Sequence, residues 1–179
     1  MTLTRTTTGA VDEMIDPECF RSVLSHYPTG ICAITAIDDG EPTGFVVGTF
    51  TSVSLEPPLV GFFPDKKSTT FPKVRRAGAF CANVLSAQDE ELCRLFAAKG
   101  ADRFASVRWR PGPTGSPILE RATAWIDCEL EQVHEVGDHL LVVGRVVDLA
   151  TRSADEPPEP LIFHRGRFGS YAPNHATPK

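Results

Sequence analysis

Two apolar-rich runs, TAWIDCELEQVH (residues 123–134) and HLLVVGRVVDLA (139–150), are separated by only the four residues EVGD. Parallel strands need a crossover of about a dozen residues or more, so two strand-like runs this close have to pair antiparallel. The first run alternates with period two, and both are rich in branched and aromatic residues, as paired strands require. This hairpin commits the chain to an antiparallel β architecture, and the other segments are read against it.

DPECFRSVLSHY predicts a short amphipathic helix with Asp16 as N-cap, Pro17 at the first helical position, and Phe20, Val23, Leu24 and Tyr27 on one face. ICAITAID followed by DDG predicts a strand and a tight turn, and TGFVVGTFTSVS and PLVGFF predict two more strands separated by LEPP. Proline donates nothing to a central ladder, which places Pro57 and Pro58 at a strand boundary or an edge. KKSTTFPKVRRAG reads as a loop entering a helical turn, and AFCANVL as a buried strand. Ser86 then caps AQDEELCRLFAAK, with Asp89 in the capping-box position and Leu92, Leu95 and Phe96 as the buried stripe. GADRFASVRWRPGPTGSPIL, punctuated by Pro111, Gly112, Pro113, Gly115 and Pro117, reads as irregular. TRSADEPPEP is an exposed acidic connection before LIFHRGRFGSY, the last strand pair. About seven or eight strands and two or three short helices, without regular strand–helix alternation, predict a mainly β chain with short α helices, an antiparallel barrel. The reading has one domain over residues 15–172, between tails at 1–14 and 173–179.

The 179 residues carry a formal charge of -5, which argues against a nucleic-acid surface, because such a surface must neutralise many phosphates. Small anionic ligands need only local positive charge. The sequence has no apolar run long enough to span a bilayer and no apolar signal core, so a cytoplasmic location with no membrane contact is expected. Cysteines 19, 32, 81, 93 and 128, mostly among apolar neighbours, lack CxxC spacing and read as reduced core residues.

The motifs GxSxG, HExxH, GxxxxGK[ST] and GxGxxG do not occur in the sequence. His134 and His139, with Asp138, flank a turn; a surface hairpin explains them better than a metal, and no metal site is expected. More informative are Thr49, Thr51, Ser52 and Ser54 on one segment, and Lys66, Lys67, Ser68, Thr69 and Thr70 on another, joined by one short strand. Folded antiparallel, the two converge into a set of hydroxyls, backbone N–H groups and lysine suited to a phosphate with a polyol tail. The same residues also suit ordinary strands and turns, where threonine and serine are favoured.

The succession FRSVLSHYPTGICAITA, PTGFVVGTFTSVSLEPPLVGFFPDKKSTTF, FCANVL, LCRLFA, DRF, GSPIL, GDHLLVVGRV and PLIFHRGRFG resembles the flavin reductase family of FMN-binding split barrels. Within it, the chain is similar to the small reductase components of two-component flavin-dependent monooxygenases, from about Asp16 to Tyr171. The resemblance implies an antiparallel split β-barrel that transfers hydride from NADH or NADPH to FMN or FAD and supplies reduced flavin to a separate monooxygenase. A flavin enzyme acting directly on an organic substrate, or a non-catalytic flavin-binding protein, is the alternative. It also implies a homodimer. By resemblance Gly48, Thr49, Ser52 and Ser54 line the isoalloxazine and ribityl part, and Lys66, Ser68 and Thr69 approach the phosphate. Asn83, Arg103 and Phe104 match positions near the cofactor; Asn83 also suits a strand-end amide and Phe104 a core ring. His139, in GDH, lies where the nicotinamide is expected, and Phe163, His164, Arg165 and Gly166 are candidates for the dinucleotide. Where relatives carry TAN or TAS, this chain has Val46, Val47 and Gly48, which implies that glycine admits a closer backbone or a bulkier ligand.

Overall fold

The structure, a computed structural model, describes residues 15–98, 100, 102–152 and 158–172. The two tails, and part of the acidic connection, lie outside the described residues.

In chain order the elements are α1 (Pro17–Leu24), β1 (Thr29–Gly30), β2 (Cys32–Asp38), β3 (Glu41–Val47), β4 (Thr51–Leu55), β5 (Pro58–Phe62), α2 (Phe71–Ala77), β6 (Ala79–Val84), a 3-10 turn at Ala87–Asp89, α3 (Glu90–Ala97), β7 (Trp109–Pro111), β8 (Pro117–Leu119), β9 (Ala124–Val136), β10 (His139–Thr151), β11 (Ile162–His164) and β12 (Arg167–Gly169). Helix α1 starts where its chemistry says it should: the Asp16 carboxylate accepts the Cys19 N–H at 2.8 Å and Pro17 opens the first turn. Ser86 and Asp89 close the capping box before α3.

Seven strands form one sheet in the order β3-β2-β6-β9-β10-β5-β4, while β1-β11-β12 and β7-β8 form small satellites. The strands pair antiparallel. The outermost strands of the large sheet, β3 and β4, are consecutive in sequence. Laid flat, they would stand roughly 29 Å apart, at six spacings of about 4.8 Å. The four residue steps from Val47 to Thr51 reach at most about 14 Å. The sheet therefore curls until its own edges meet, with Gly48–Phe50 crossing the seam. Pro58 opens β5 beside edge strand β4, the boundary and edge position expected for it.

The run ICAITAID is apolar on both faces because β2 is covered on both sides. Cys32, Ile34 and Ala36 face a core with Phe62, Phe80 and Val142, whereas Ile31 and Ala33 join Leu85, Phe96, Leu119 and Leu161 beneath α3. Phe62 packs edge to face on Phe45, Phe71 and Phe80 at centroid distances of 6.1, 6.3 and 5.2 Å.

The stretch read as irregular holds a short hairpin, β7–β8, seated over a buried carboxylate. Asp127 accepts the Thr114 N–H at 2.8 Å and its hydroxyl at 2.7 Å. Burial pushes its carboxyl up from the usual range, against the pull of the Thr114 bonds. Four cysteines, Cys32, Cys81, Cys93 and Cys128, are buried free thiols as expected; Cys19 is not a core residue but a free thiol exposed on α1, which buries none of its side chains. Burial raises the Cys32 and Cys128 thiols to about 12, so they are inert at neutral pH.

Candidate active site at the barrel seam

The seam is held by two short connections. Thr49, in the crossing segment, accepts the N–H of Phe63 at 3.0 Å and so pins it to the exit of β5. The chain then turns on Asp65, whose carboxylate accepts the Lys67 N–H at 2.7 Å and whose carbonyl accepts the Ser68 N–H at 2.9 Å. The Ser68 hydroxyl accepts the Phe71 N–H at 3.1 Å and leads the loop into α2. From its outer side the β9–β10 hairpin grips this loop: Lys66 N–H donates to the Asp138 carbonyl at 3.0 Å and Leu140 N–H to that of Pro64 at 2.9 Å.

Between these connections lies a cleft of three contiguous cavities, about 210, 310 and 480 Å³. The first and second share Gly48 and Thr49; the second and third share Phe45, Val46 and Ser68. Its middle is mostly apolar, with Phe45, Val46 and Phe63, and is also lined by Asp65, whose carboxylate is bonded to the Lys67 N–H. Its far end gathers Lys67, Ser68, Thr69, Thr70 and Arg103. Arg103 donates to three neutral oxygens, the Gly44 carbonyl at 3.0 Å, the Thr70 hydroxyl at 3.2 Å and the Ala98 carbonyl at 2.7 Å, while its Nε is buried without a partner. Neither Lys67 nor Arg103 is paired with a carboxylate among the described residues. A mostly apolar slot ending in hydroxyls and uncompensated positive charge can take a flat ring system carrying a phosphorylated chain.

Of the residues singled out in the sequence, Gly48, Thr49, Ser68, Thr69 and Arg103 come together in this cleft. Ser52 and Ser54 do not: they flank an irregularity in edge strand β4, and Thr51 lines the cleft instead. Lys66 is turned outward, with its Nζ on Glu135 at 2.8 Å, and Lys67 takes its place. Asn83 is fully buried and fully used, donating to the Ala33 carbonyl at 3.2 Å and the Thr35 hydroxyl at 3.0 Å while accepting the Leu119 N–H at 2.8 Å. It staples β8 to the main sheet. Phe104 packs edge to face between Phe96 and Trp109, at 5.2 and 6.5 Å.

His139 bridges to Asp65 across the sheet, beside the loop but outside the cleft lining, and its Nδ1 lies 2.7 Å from the Asp138 carboxylate. That hydrogen bond holds the Asp138 carboxyl below its usual range. Phe163, His164, Arg165 and Gly166 form the β11–β12 hairpin, against a separate cavity of about 600 Å³ lined by His164 and Arg165. Two apolar lining residues, Phe45 and Phe63, escaped the sequence reading; Lys67 stood in the convergent group there but was not among the residues that the resemblance carried to the phosphate.

Gly48 has a reason within this chain for lacking a side chain. A Cβ there would meet the Thr29 hydroxyl at 2.8 Å, so the close approach is made by this chain's own β1. Among the described residues no three His, Cys, Asp or Glu side chains are grouped to hold a metal ion, and no helix is long and apolar enough to cross a membrane.

An antiparallel split barrel with a ligand-sized cleft at its seam is the class that the geometry defines. A family model described as flavin reductase like domain matches residues 24–172. A flavin reductase of Pseudomonas putida is 50% identical over 171 residues, covering 95% of this chain and 99% of its own. The reductase subunit HsaB of a flavin-dependent monooxygenase from Rhodococcus jostii is 44% identical over 171 residues, 95% of this chain and 86% of that one. The crystal structure of nitrilotriacetate monooxygenase component B from Mycobacterium thermoresistibile matches with a TM-score of 0.85 at 38% identity, over 90% of each chain. The chain belongs to the flavin reductase-like domain family and is an oxidoreductase.

Proposed function

We propose that this protein passes a hydride from NADH or NADPH to FMN or FAD held in the seam cleft, and supplies the reduced flavin to a separate monooxygenase component. The observation that carries the reading is the cleft itself, mostly apolar along its middle and positively charged without compensation at one end. Its donor set suits the cofactor: Lys67, Ser68 and Thr69 for a phosphate, with the Arg103 charge behind them, and Phe45, Val46 and Phe63 for a planar ring. Flavin, when bound, supplies the N5 position that accepts hydride from nicotinamide C4. Such a transfer asks the protein for alignment and electrostatics rather than a side-chain acid or base. Here the Thr49 bond to Phe63 sets the cleft width, and the hairpin grip on Lys66 and Pro64 fixes the phosphate loop. His139, at the outer side of that loop, is the residue assigned to the nicotinamide. The reductase subunits among the relatives support the separate oxygenase partner.

Oxidation of NADH in the presence of free FMN or FAD tests the reading. Turnover saturating in flavin is expected. Turnover only with a specific organic acceptor would assign the cleft to a substrate instead, and flavin binding without turnover would make the protein a carrier.

The reading includes a homodimer. Helix α1 buries no residue; Phe20, Val23 and Leu24 stand exposed along it and Tyr27 stands exposed just beyond its end, also lining the cleft. A second copy covering this face would complete the cleft wall at the same time. Light scattering is expected to give twice the mass of one chain, and Val23→Glu to reduce it to one; a monomeric wild type would overturn the assembly.

A further inference from the structure

The eleven residues from Lys66 to Arg76 hold five of the chain's 18 lysines and arginines and none of its 23 acids. The rest of the chain is left with 13 bases against those 23 acids, so one positive segment stands on an otherwise strongly negative molecule. That segment is the loop at the far end of the cleft, running on into α2. Two of its cations are neutralised, Lys66 by Glu135 at 2.8 Å and Arg76 by Asp38 at 2.7 Å, and Lys67 lines the cleft. Lys73 and Arg75 remain, exposed and without a carboxylate partner among the described residues.

Local structure accounts for only one of these two. Arg75 suits the last turn of α2, where free carbonyls favour a cation, but Lys73 stands in the first turn, where the helix dipole disfavours one. Neither is needed to seat the helix, which packs through Phe71 and Val74. Lys73 is three residues past Thr70, about 5 Å along the helix axis. The Lys66 hydrogen bond holds the Glu135 carboxyl below its usual range, and Arg75 is close enough to add to the pull. Both charges therefore act on the loop of Ser68, Thr69 and Thr70 within a Debye length of about 8 to 10 Å, yet neither lines the cleft. The other acids near this mouth are Asp65, which accepts the Lys67 N–H, and Asp102, which accepts those of Phe104 and Ala105. Against Lys67, Lys73, Arg75 and Arg103 they leave the mouth positive.

We infer that Lys73 and Arg75 steer the phosphate of an incoming flavin to the far end of the cleft without touching it once it is seated. The inference rests on the reductase reading of that cleft. A concave site with charge of one sign at its mouth, on a molecule otherwise of the opposite sign, concentrates a counter-charged ligand there and speeds its arrival. Charges outside the contact act on association and its salt dependence more than on release. Rapid capture without a tighter hold suits a protein that gives its flavin up after each reduction.

Stopped-flow measurement of flavin fluorescence on the full chain, without nicotinamide, reads capture and release directly. Lys73→Gln/Arg75→Gln is expected to slow FMN association about fivefold at an ionic strength of about 0.01 M, with dissociation unchanged. Near about 1 M, where screening removes the field, the two proteins should converge. Riboflavin, which lacks the phosphate, should bind both proteins at the same rate at either ionic strength. Arg110→Gln/Arg152→Gln removes the same net charge at the end of the β9–β10 hairpin away from its tip, where Arg110 lies over Trp125 and the Arg152 N–H reaches the Thr123 carbonyl. That variant should associate with FMN like wild type. Equal FMN association in wild type and Lys73→Gln/Arg75→Gln would overturn the steering, as would an equal slowing in the distant variant. Faster dissociation at unchanged association would overturn it too, by making the two residues contacts of the seated ligand. FMN association that follows these expectations in a protein that oxidises no NADH would remove the reductase reading and leave the steering standing; uptake of neither flavin would remove both.

Discussion

Arg103→Ala is expected to weaken flavin binding by about thirtyfold or more, since a bond or contact to a charged group is worth about 2 kcal/mol or more. The same change should cost stability, because it strips partners from the Gly44 carbonyl and the Thr70 hydroxyl at the head of α2. Arg103→Lys separates the two effects: it keeps the charge beside the cleft but cannot reach all three oxygens with one ammonium. It should recover flavin affinity in part and stability hardly at all. The neighbouring lysines give the internal control. Lys67→Ala should weaken flavin binding, whereas Lys66→Ala should not, because Lys66 is turned outward onto Glu135. Equal losses for both lysines in a flavin titration would mean that the loop is wrongly oriented, and unchanged affinity in Arg103→Ala would take the phosphate end away from this cleft.

Gly144→Ala should be a strongly destabilising single methyl group. Gly144 lies on β10 at a register shift against β9, and the ring of Phe80 occupies the space that its Cβ would need; the Cys128 Cβ is 3.1 Å away on the other side. The ring cannot swing clear, because Phe80 is fully buried and packed edge to face on Phe62 at 5.2 Å. Overpacking of this kind costs about 3 kcal/mol, against a strand preference for alanine over glycine of less than about 1 kcal/mol. The net loss is a large part of the roughly 5–15 kcal/mol that holds a domain together. Urea denaturation should show a lower midpoint with little change in slope, and Phe80→Leu should restore part of the loss in the double variant. A Gly144→Ala midpoint equal to wild type would show that the sheet can spread there after all.

The elements legible in the sequence are those whose signal is local. EVGD between two long runs forces the β9–β10 hairpin, Asp16 and Pro17 start α1, and Ser86 with Asp89 starts the helical stretch that ends in α3. The prolines of LEPP mark the edge strand. The β7–β8 hairpin was not legible, because its strands are three residues long, begin or end on prolines, and are held by a carboxylate more than ten residues away, at Asp127. The cleft was half legible. Its hydroxyls and lysines stand out as a group, but the side on which each falls does not.

Lys66 and Lys67 occupy the middle of the turn from Asp65 to Ser68, so they look alike in a string of letters and differ by everything once the hairpin tip has taken Lys66. Asn83 is drawn into the core for a similar reason, because β8 brings the Leu119 N–H and the Pro117 carbonyl to it. By itself the sequence determined the antiparallel strands, the caps, the turns and the inventory of polar groups, all of which depend on contacts a few residues apart. Only the tertiary structure decided which of those groups share the cleft, why position 48 has no side chain, and where uncompensated charge remains. Those outcomes depend on which distant strands meet when a curling sheet closes on its own edges.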